Sequence, residues 1–200
     1  VVEPVVTTIP GTKLRAKGPL LVTHWGVSGP AVLKLSSYAA RLLAENDYKA
    51  PLAISWTGEL TRQEVEENLL KLQIANPRKQ VATLHPFGLP SRLWLYILSK
   101  LDIDAVKPWA EIGRKTLNRM IETLVNDQYT IAGKGAFRDE FVTCGGVSLS
   151  SVNSKTLESK VCPNLFFAGE VLDIDAITGG FNLQAAWTTG VVAGQCAAGS

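Results

Sequence analysis

The stretch from Thr23 to Pro30, which reads THWGVSGP, holds the residues whose types most directly suggest covalent chemistry. Ser28 lies in a G-V-S-G context, close to the G-x-S-x-G turn that exposes a nucleophilic serine in hydrolases, and His24 would be its base. That turn needs a small residue two places after the serine, where this chain has Pro30. Proline suits the first turn of a helix, so the same stretch also predicts a helix N-cap at Ser28 or Gly29. The hydrolase hypothesis has no identified acid.

A second chemically capable stretch, near the end of the chain, combines carboxylates with glycines. NLFFAGE from residue 164 predicts a short apolar strand, and VLDIDAIT after it predicts a loop. Gly179-Gly180 then predicts the start of a helix from about Phe181 to Ala198. The N–H groups at such a helix start would face an anion or the electron-rich edge of a flavin, and glycine lets a ligand approach closely. Small residues also recur in this helix at four-residue intervals: Ala186, Gly190, Gly194 and Ala198. A helix packed tightly for structural reasons would show the same pattern, so both interpretations stay open.

Side chains of metal-binding type occur, but not in a metal-binding pattern. The carboxylates of the second stretch lack the further oxygen ligands and turn glycine of an EF-hand loop; they are Glu170, Asp173 and Asp175. We therefore predict no metal, and expect these carboxylates to accept hydrogen bonds from sugar-like hydroxyls. The three cysteines are far apart and form no C-x-x-C pair, which argues against zinc or a disulfide framework; they are Cys144, Cys162 and Cys196. Cys144 is predicted to be a buried, inert thiol in a strand.

Composition narrows the class of protein. With 200 residues and 46% hydrophobic content, the chain can bury the core of one or two domains. Twenty basic and eighteen acidic residues give a net charge of +2, which does not demand a nucleic-acid partner. The sequence has no apolar run long enough for a membrane span and no signal-peptide pattern, so we expect a cytoplasmic protein without a membrane partner. Because the chain begins without methionine, we expect an excised or processed piece of a longer protein.

Local patterns predict the elements that position these residues. Short strands with turns at Pro10-Gly11 and Gly18-Pro19 are expected up to Val22, and further strands from Gln128 onward. Thr61 begins TRQE, a capping box that opens a helix through about Ile74. The remaining expected elements are a helix over Ala31–Glu45, a strand over Pro51–Trp56, and helices over Pro90–Leu101 and Trp109–Val125.

Three blocks of the sequence resemble one known family. They are GPLLVTHWGVSGPAVLKLS from Gly18, FVTCGGVSL with TLESK from Phe141, and NLFFAGEVLDIDAITGGFNLQAAWTTGVVAG from Asn164. In this order the blocks are similar to those of the BaiN-like (YhiN-like) bacterial flavoproteins, which are NAD(P)/FAD-dependent oxidoreductases. THWGVSGP looks like the T-H-x-G-x-S-G-P block of that family. The G-x-G-x-x-G fingerprint of an N-terminal Rossmann half is missing from this chain.

The resemblance implies an α+β fold built from two parts of a flavoprotein. Residues 1–135 would be an inserted, substrate-side domain with short strands and a helical subdomain at about 58–126. Residues 136–200 would supply the C-terminal strand and helix of a Rossmann-like FAD domain. The N-terminal half of the same protein would be the partner, NAD(P)H the electron donor, and an unidentified small organic molecule the substrate. This chain alone would be inactive and would bind FAD weakly or not at all.

The resemblance also implies roles for particular residues. Gly169 and Glu170 would lie near the ribityl chain or pyrophosphate of FAD, with Asp173 as a further cofactor contact. The start of the last helix would lie near the isoalloxazine ring; its residues are Gly179, Gly180, Phe181 and Asn182. His24 and Ser28 are candidates for the substrate side, although His24 is also interpreted as a buried, hydrogen-bonded histidine.

A different class of function stays open. The insert would then be a recognition module that binds RNA or a protein partner. Its contacts would come from basic residues on the helices, namely Arg114, Lys115 and Arg119. A solvated helix face has the same composition, so we expect nucleic acid to be the less favoured partner.

Overall fold

The computed structural model describes residues 1–135, 142–177 and 179–199. The chain divides into two compact units. The first unit comprises Val1–Leu35 and Asn46–Gly133, and the second comprises Ser36–Glu45 and Lys134–Ser200. The predicted domain boundary after residue 135 adjoins residues outside the described ranges, and it stays a prediction.

The first unit is built on a five-stranded antiparallel sheet in the order β3-β2-β1-β4-β5. Its strands are β1 (Val2–Thr8), β2 (Arg15–Val22), β3 (Val27–Ser28), β4 (Ala50–Ser55) and β5 (Asp127–Ile131). The predicted turn at Pro10-Gly11 is confirmed, but the one at Gly18-Pro19 is wrong, because both residues lie inside β2. Glycine is needed at position 18 for close approach, since a Cβ there would lie 3.3 Å from the backbone nitrogen of Ala31.

Six α-helices accompany the sheet in the part of the chain that the structure describes, which confirms an α+β fold. They are α1 (Pro30–Tyr38), α2 (Ala40–Glu45), α3 (Arg62–Ala75), α4 (Ser91–Lys100), α5 (Arg114–Val125) and α6 (Phe181–Ala197). None of them is both long enough and apolar enough to cross a membrane. The capping box of α3 is confirmed: Glu64 N–H donates to Thr61 Oγ1, and Thr61 N–H donates to a Glu64 carboxylate oxygen.

Two predicted helices are wrong in extent. The helix expected over residues 31–45 is interrupted at Ala39. The helix expected from Trp109 is a 3-10 turn at Trp109–Glu111, and α5 begins only at Arg114. The side chain of Gln73 explains this second difference, because its Nε2 donates to the carbonyls of Trp109 at 2.7 Å and Ile112 at 2.9 Å. Those carbonyls are then satisfied from α3 instead of from a continuing helix.

Buried aromatic and polar contacts hold the helices of the first unit. The rings of Trp94 and Trp109 stack with centroids 6.4 Å apart, and Trp94 Nε1 donates to the Val81 carbonyl at 2.8 Å. The carboxylate of Asp127 is buried and accepts from three side chains: Trp56 Nε1 at 2.9 Å, Tyr129 OH at 2.6 Å and Lys100 Nζ at 2.5 Å. These bonds connect α4 to β5 and to the residue that follows β4.

The second unit contains α6 but not the strands predicted around residues 142–152 and 164–170. In their place are isolated bridges, of which Val147 with Leu172 is parallel and Glu158 with Phe166 is antiparallel. A 3-10 turn at Gly169–Val171 takes up the end of the stretch 164–170. A β-strand needs a run of consecutive residues paired with a neighbouring strand, and a single bridge does not provide such a run. Phe141, with which the first of these stretches begins, lies outside the described residues.

Candidate cofactor site

The hairpin between β2 and β3 carries His24 and Ser28. Hydrogen bonds between Thr23 and Gly26 close its turn, including Thr23 N–H to the Gly26 carbonyl at 2.9 Å. His24 is exposed at this turn, so its interpretation as a buried histidine is wrong. Among the described residues, no hydrogen bond joins His24 to Ser28. The N-cap of α1 is Gly29, whose carbonyl accepts from the N–H of Leu33 at 2.9 Å.

In the second unit, α6 holds the 3-10 turn that carries Gly169 and Glu170. Gly169 N–H donates to the hydroxyl oxygen of Thr189 at 2.9 Å, and that hydroxyl donates to the Ala185 carbonyl at 2.6 Å. The Glu170 side chain is exposed, with Oε1 3.4 Å from the N–H of Thr143. The carboxylate of Glu170 is therefore placed by the backbone of the turn and remains open to solvent.

The start of α6 is fixed by one amide side chain. Asn182 accepts from the Ala176 N–H at 2.9 Å and donates to the Ala176 carbonyl at 3.0 Å, which ties the preceding loop to the helix. Gly180 is the N-cap, with φ of 99°, and its lack of a side chain leaves the first N–H groups of α6 without a side-chain cap. A Cβ at Gly179 or Gly180 would meet no atom of a described residue within 4 Å, and Phe181 is 64% exposed. The positive end of the helix dipole is thus open at this point.

Asp173 belongs to a polar cluster on α2 and the neighbouring loops. Arg41 Nη2 lies 2.8 Å from both carboxylate oxygens of Asp173. A hydrogen bond with Asp175 raises the pKa of the Cys144 thiol, and burial raises it further, whereas Arg41 lowers it. The prediction that Cys144 is fully buried in a strand is wrong, because it is half-buried and lies outside any strand. Sequence reasoning missed the role of Arg41, which is 132 positions from Asp173 and gives no local signal.

The structure places the seven cofactor candidates in the second unit and the two substrate-side candidates in the first. Backbone and side-chain bonds with α6 organise Gly169 and Asn182, while Asp173 is engaged by Arg41. Within the described ranges, no three His, Cys, Asp or Glu side chains are grouped as metal ligands. The binding roles of all nine residues stay predictions.

Comparison with known proteins gives one family match and several relatives. The family model described as "HI0933-like protein barrel and H2TH domain" matches residues 2–142. The chain is 32% identical over 171 residues to the ribosomal RNA dihydrouridine synthase of Haemophilus influenzae, covering 85% of this chain and 40% of that protein. It is 31% identical over 190 residues to the Escherichia coli protein of the same name, covering 94% of this chain and 44% of the relative.

A third relative carries a different name. The 3-dehydro-bile acid delta(4,6)-reductase of Clostridium scindens is 29% identical over 188 residues, covering 90% of this chain and 44% of that protein. The chain thus spans less than half the length of these curated relatives.

Proposed function

This chain belongs to the HI0933-like family, and from that premise we propose that the whole protein is an FAD-dependent oxidoreductase that uses NAD(P)H. The resemblance to the BaiN-like (YhiN-like) flavoproteins is confirmed by the family match and the relatives. Its activity and substrate are inferred from three further observations: the names of the relatives, the open start of α6, and the apolar surface that this helix exposes.

The names of the relatives describe one type of reaction on two substrates. A dihydrouridine synthase adds two hydrogens across the ring double bond of uridine, and a delta(4,6)-reductase removes double bonds from a 3-oxo ring system. In both cases the double bond is conjugated with a carbonyl group. We infer that the whole protein adds a hydride and a proton across such a bond, while NAD(P)H becomes NAD(P)⁺. Uridine in RNA is the first candidate substrate, because two of the relatives described above are named for it.

The residues at the start of α6 fit FAD in type and arrangement. The uncapped N–H groups after Gly180 would donate to the electron-rich edge of the ring, and Phe181 would lie beside it. Asn182 would hold the preceding loop in position through both of its bonds to Ala176. Glu170 would accept a hydrogen bond from a ribityl or ribose hydroxyl, whereas Asp173 is held by Arg41 and would position the loop. When bound, FAD would supply hydride transfer.

The exposed side of α6 supports a further part to this proposal. Leu183, Trp187 and Val191 follow one another at four-residue spacing and are 62%, 69% and 60% exposed. A helix stripe of this size is normally covered. We infer that it packs against the Rossmann-like half of the protein, to which the single bridges near residues 147 and 166 would contribute as strands.

Reductase assays of the full-length protein test the proposal. Purified protein loaded with FAD would receive NADH or NADPH together with either unmodified ribosomal RNA or a 3-oxo-4,6-diene steroid acid. Mass spectrometry of the product would show the addition of two hydrogens to one of them. Failure to oxidise NAD(P)H with either substrate, in a protein that does contain FAD, would contradict the reaction class.

A matched pair of variants tests the cofactor residues. Glu170→Gln removes the exposed carboxylate of the 3-10 turn, and Glu45→Gln removes the same charge from the exposed end of α2. Because a hydrogen bond to a charged group contributes about 1.5 kcal/mol or more, we expect FAD to bind about tenfold more weakly to Glu170→Gln. Glu45→Gln should bind FAD as the unchanged protein does. Equal affinities in both variants would exclude Glu170 from the cofactor site.

A further inference from the structure

The cations of the helical region divide into those that pair with a described residue and those for which the described ranges hold no pairing carboxylate. Several are engaged: Arg62 with Glu122 at 2.6 Å, Arg114 with Glu66 at 2.5 Å, Lys100 with Asp127 at 2.5 Å, and Arg119 with the Leu101 carbonyl at 2.8 Å. Two of the three basic residues that the sequence offered for RNA binding, Arg114 and Arg119, therefore have intramolecular roles. Lys115, in the first turn of α5, is exposed and makes no ion pair with a described residue.

The loop after α3 brings two further cations to the segment that leads into α5. Trp109 N–H donates to the Lys79 carbonyl and Ala110 N–H to the Pro77 carbonyl, each at 2.9 Å. Val81 N–H donates to the Lys107 carbonyl at 2.9 Å, so the two segments run side by side. Arg78 and Lys79 are exposed on this loop, and neither is paired with a carboxylate in the described ranges.

We call Arg78, Lys79 and Lys115 the basic edge. Glu111 is the exposed carboxylate in the 3-10 turn of the paired segment, and the four groups together carry a formal charge of +2. Lys107 is excluded from the set because it lines a cavity of about 180 Å³ together with Asp102 and Asp104, whose charges oppose its own.

The backbone of the basic edge is fixed before any partner arrives. The Lys79 N–H donates to the Asn76 carbonyl at 3.1 Å, which closes a turn, and the cross-segment bonds hold both sides of the loop. Adjacent cations on a fixed backbone lose less conformational entropy when they bind than cations on a mobile tail would.

We propose that the basic edge binds the phosphodiester backbone of the RNA substrate. Lysine and arginine side chains contact phosphate oxygens and release condensed counterions, which gives affinity and orientation without reading the base sequence. This inference rests on the RNA branch of the proposed function, and it assigns the RNA contacts to residues other than Arg114 and Arg119.

Two triple variants of the full-length protein separate a local contact from bulk charge. The first variant removes the basic edge by Arg78→Gln, Lys79→Gln and Lys115→Gln. The control variant removes the same charge from three exposed lysines that make no ion pair with a described residue, by Lys13→Gln, Lys49→Gln and Lys155→Gln. Binding of a fluorescent 30-nucleotide oligouridylate would be measured between 50 and 200 mM salt, with polyglutamate of similar charge as the acidic-protein probe.

We expect the basic-edge variant to bind the oligouridylate about tenfold more weakly, with a log–log salt slope smaller by about 2, because each lost single-strand phosphate contact lowers it by about 0.7. The control triple should change the affinity by less than about twofold, and Glu111→Gln should strengthen binding because it removes a repelling charge. FAD content and NAD(P)H oxidation with a small substrate should stay unchanged in all variants, which excludes misfolding as the cause.

Several results would overturn the inference. Equal losses in both triples would indicate bulk charge alone, and unchanged binding in the basic-edge variant would place the RNA elsewhere. Tighter binding of polyglutamate than of oligouridylate would favour an acidic protein as the partner. If the unchanged protein reduces uridine in RNA but the basic-edge variant binds normally, only this inference fails. If the flavin-loaded protein binds no RNA, the RNA branch of the proposed function fails with it.

Discussion

Helices α4 and α6 show how differently the two units bury their elements. The ten residues of α4 include four buried side chains, Leu93, Trp94, Ile97 and Leu98. The seventeen residues of α6 include one, Ala193, although the mean hydrophobic character of α6 is the higher of the two. Apolar composition therefore does not decide burial here. The proposed function accounts for the difference by placing the packing partner of α6 in another part of the whole protein.

The same contrast holds for the cores. Buried residues of the first unit come from strands and helices alike. In the described part of the second unit, the buried hydrophobic residues are a cluster of four, Val152, Leu157, Leu172 and Ala193, together with Ala39 and Leu43. The second unit also exposes large apolar residues, among them Val161 at 82% and Trp187 at 69%. This difference is what we expect if the second unit is completed by the part of the relatives' length that this chain does not span.

The largest effect should come from the core of the first unit. Trp94→Ala removes a fully buried ring, its stacking on Trp109 and its bond to Val81, and should lower the free energy of unfolding by about 3–5 kcal/mol. In the chain alone, Trp187→Ala should change it by less than about 0.5 kcal/mol, because that ring is exposed. Urea unfolding measures both. A large loss in Trp187→Ala would contradict the contrast between the units.

A smaller loss is expected in the core of the second unit. Leu172 is fully buried, so Leu172→Ala should lower the free energy of unfolding by about 2–3 kcal/mol. This value is near the lower end for such substitutions, because the cluster around Leu172 is small. Leu172→Met, which conserves volume, is the control. Faster hydrogen exchange in α6 would report the loss. Unchanged exchange in the alanine variant would show that this cluster does not support the helix.

Loss of the capping box of α3 should lower the free energy of unfolding by about 1 kcal/mol. Thr61→Ala removes the hydroxyl that accepts from Glu64 N–H, while Thr61→Ser keeps it. Hydrogen bonds from Thr61 hold the pKa of Glu64 below its usual value. Stability from this group is therefore present above the unfolded pKa of about 4.3 and is lost as pH falls through the lower folded value. Between pH 5 and pH 3, the free energy of unfolding should fall less in Thr61→Ala than in the unchanged protein. An equal fall in both proteins would contradict this account.

The smallest effect concerns reactivity rather than stability. Asp175→Asn removes the largest cause of the raised pKa of Cys144, while the opposing effect of Arg41 remains. In a Cys162→Ser, Cys196→Ser background, the thiol should then alkylate faster at pH 8, because more of it is thiolate. Arg41→Gln should have the opposite effect. Equal alkylation rates in all three proteins would show that this polar cluster does not control the thiol.

Sequence patterns predicted those elements of the first unit whose signals are local. The capping box at Thr61, the strand before Trp56 and the extent of α4 all depend on residues within one element. The boundary at Arg114 could not be predicted in this way, because Gln73 satisfies the carbonyls of Trp109 and Ile112 from another helix.

In the second unit, apolar stretches were interpreted as strands from composition alone. NLFFAGE has the composition of a strand, but a single bridge at Phe166 is its only strand pairing within the described residues. The start of α6 and the position of its glycines were predicted correctly. Two further contacts depend on how the loop folds: the paired hydrogen bonds between Asn182 and Ala176, and the contact of Arg41 with Asp173. The spacing of these residues in the sequence does not reveal either contact.

The most direct test of a cofactor site completed outside this chain is a visible absorption spectrum. The full-length protein and this chain would each be purified under native conditions, incubated with FAD and then freed of unbound FAD by gel filtration. We expect flavin bands in the full-length protein and none in the chain alone. A full-length protein that is colourless and takes up no added FAD would contradict the flavoprotein assignment.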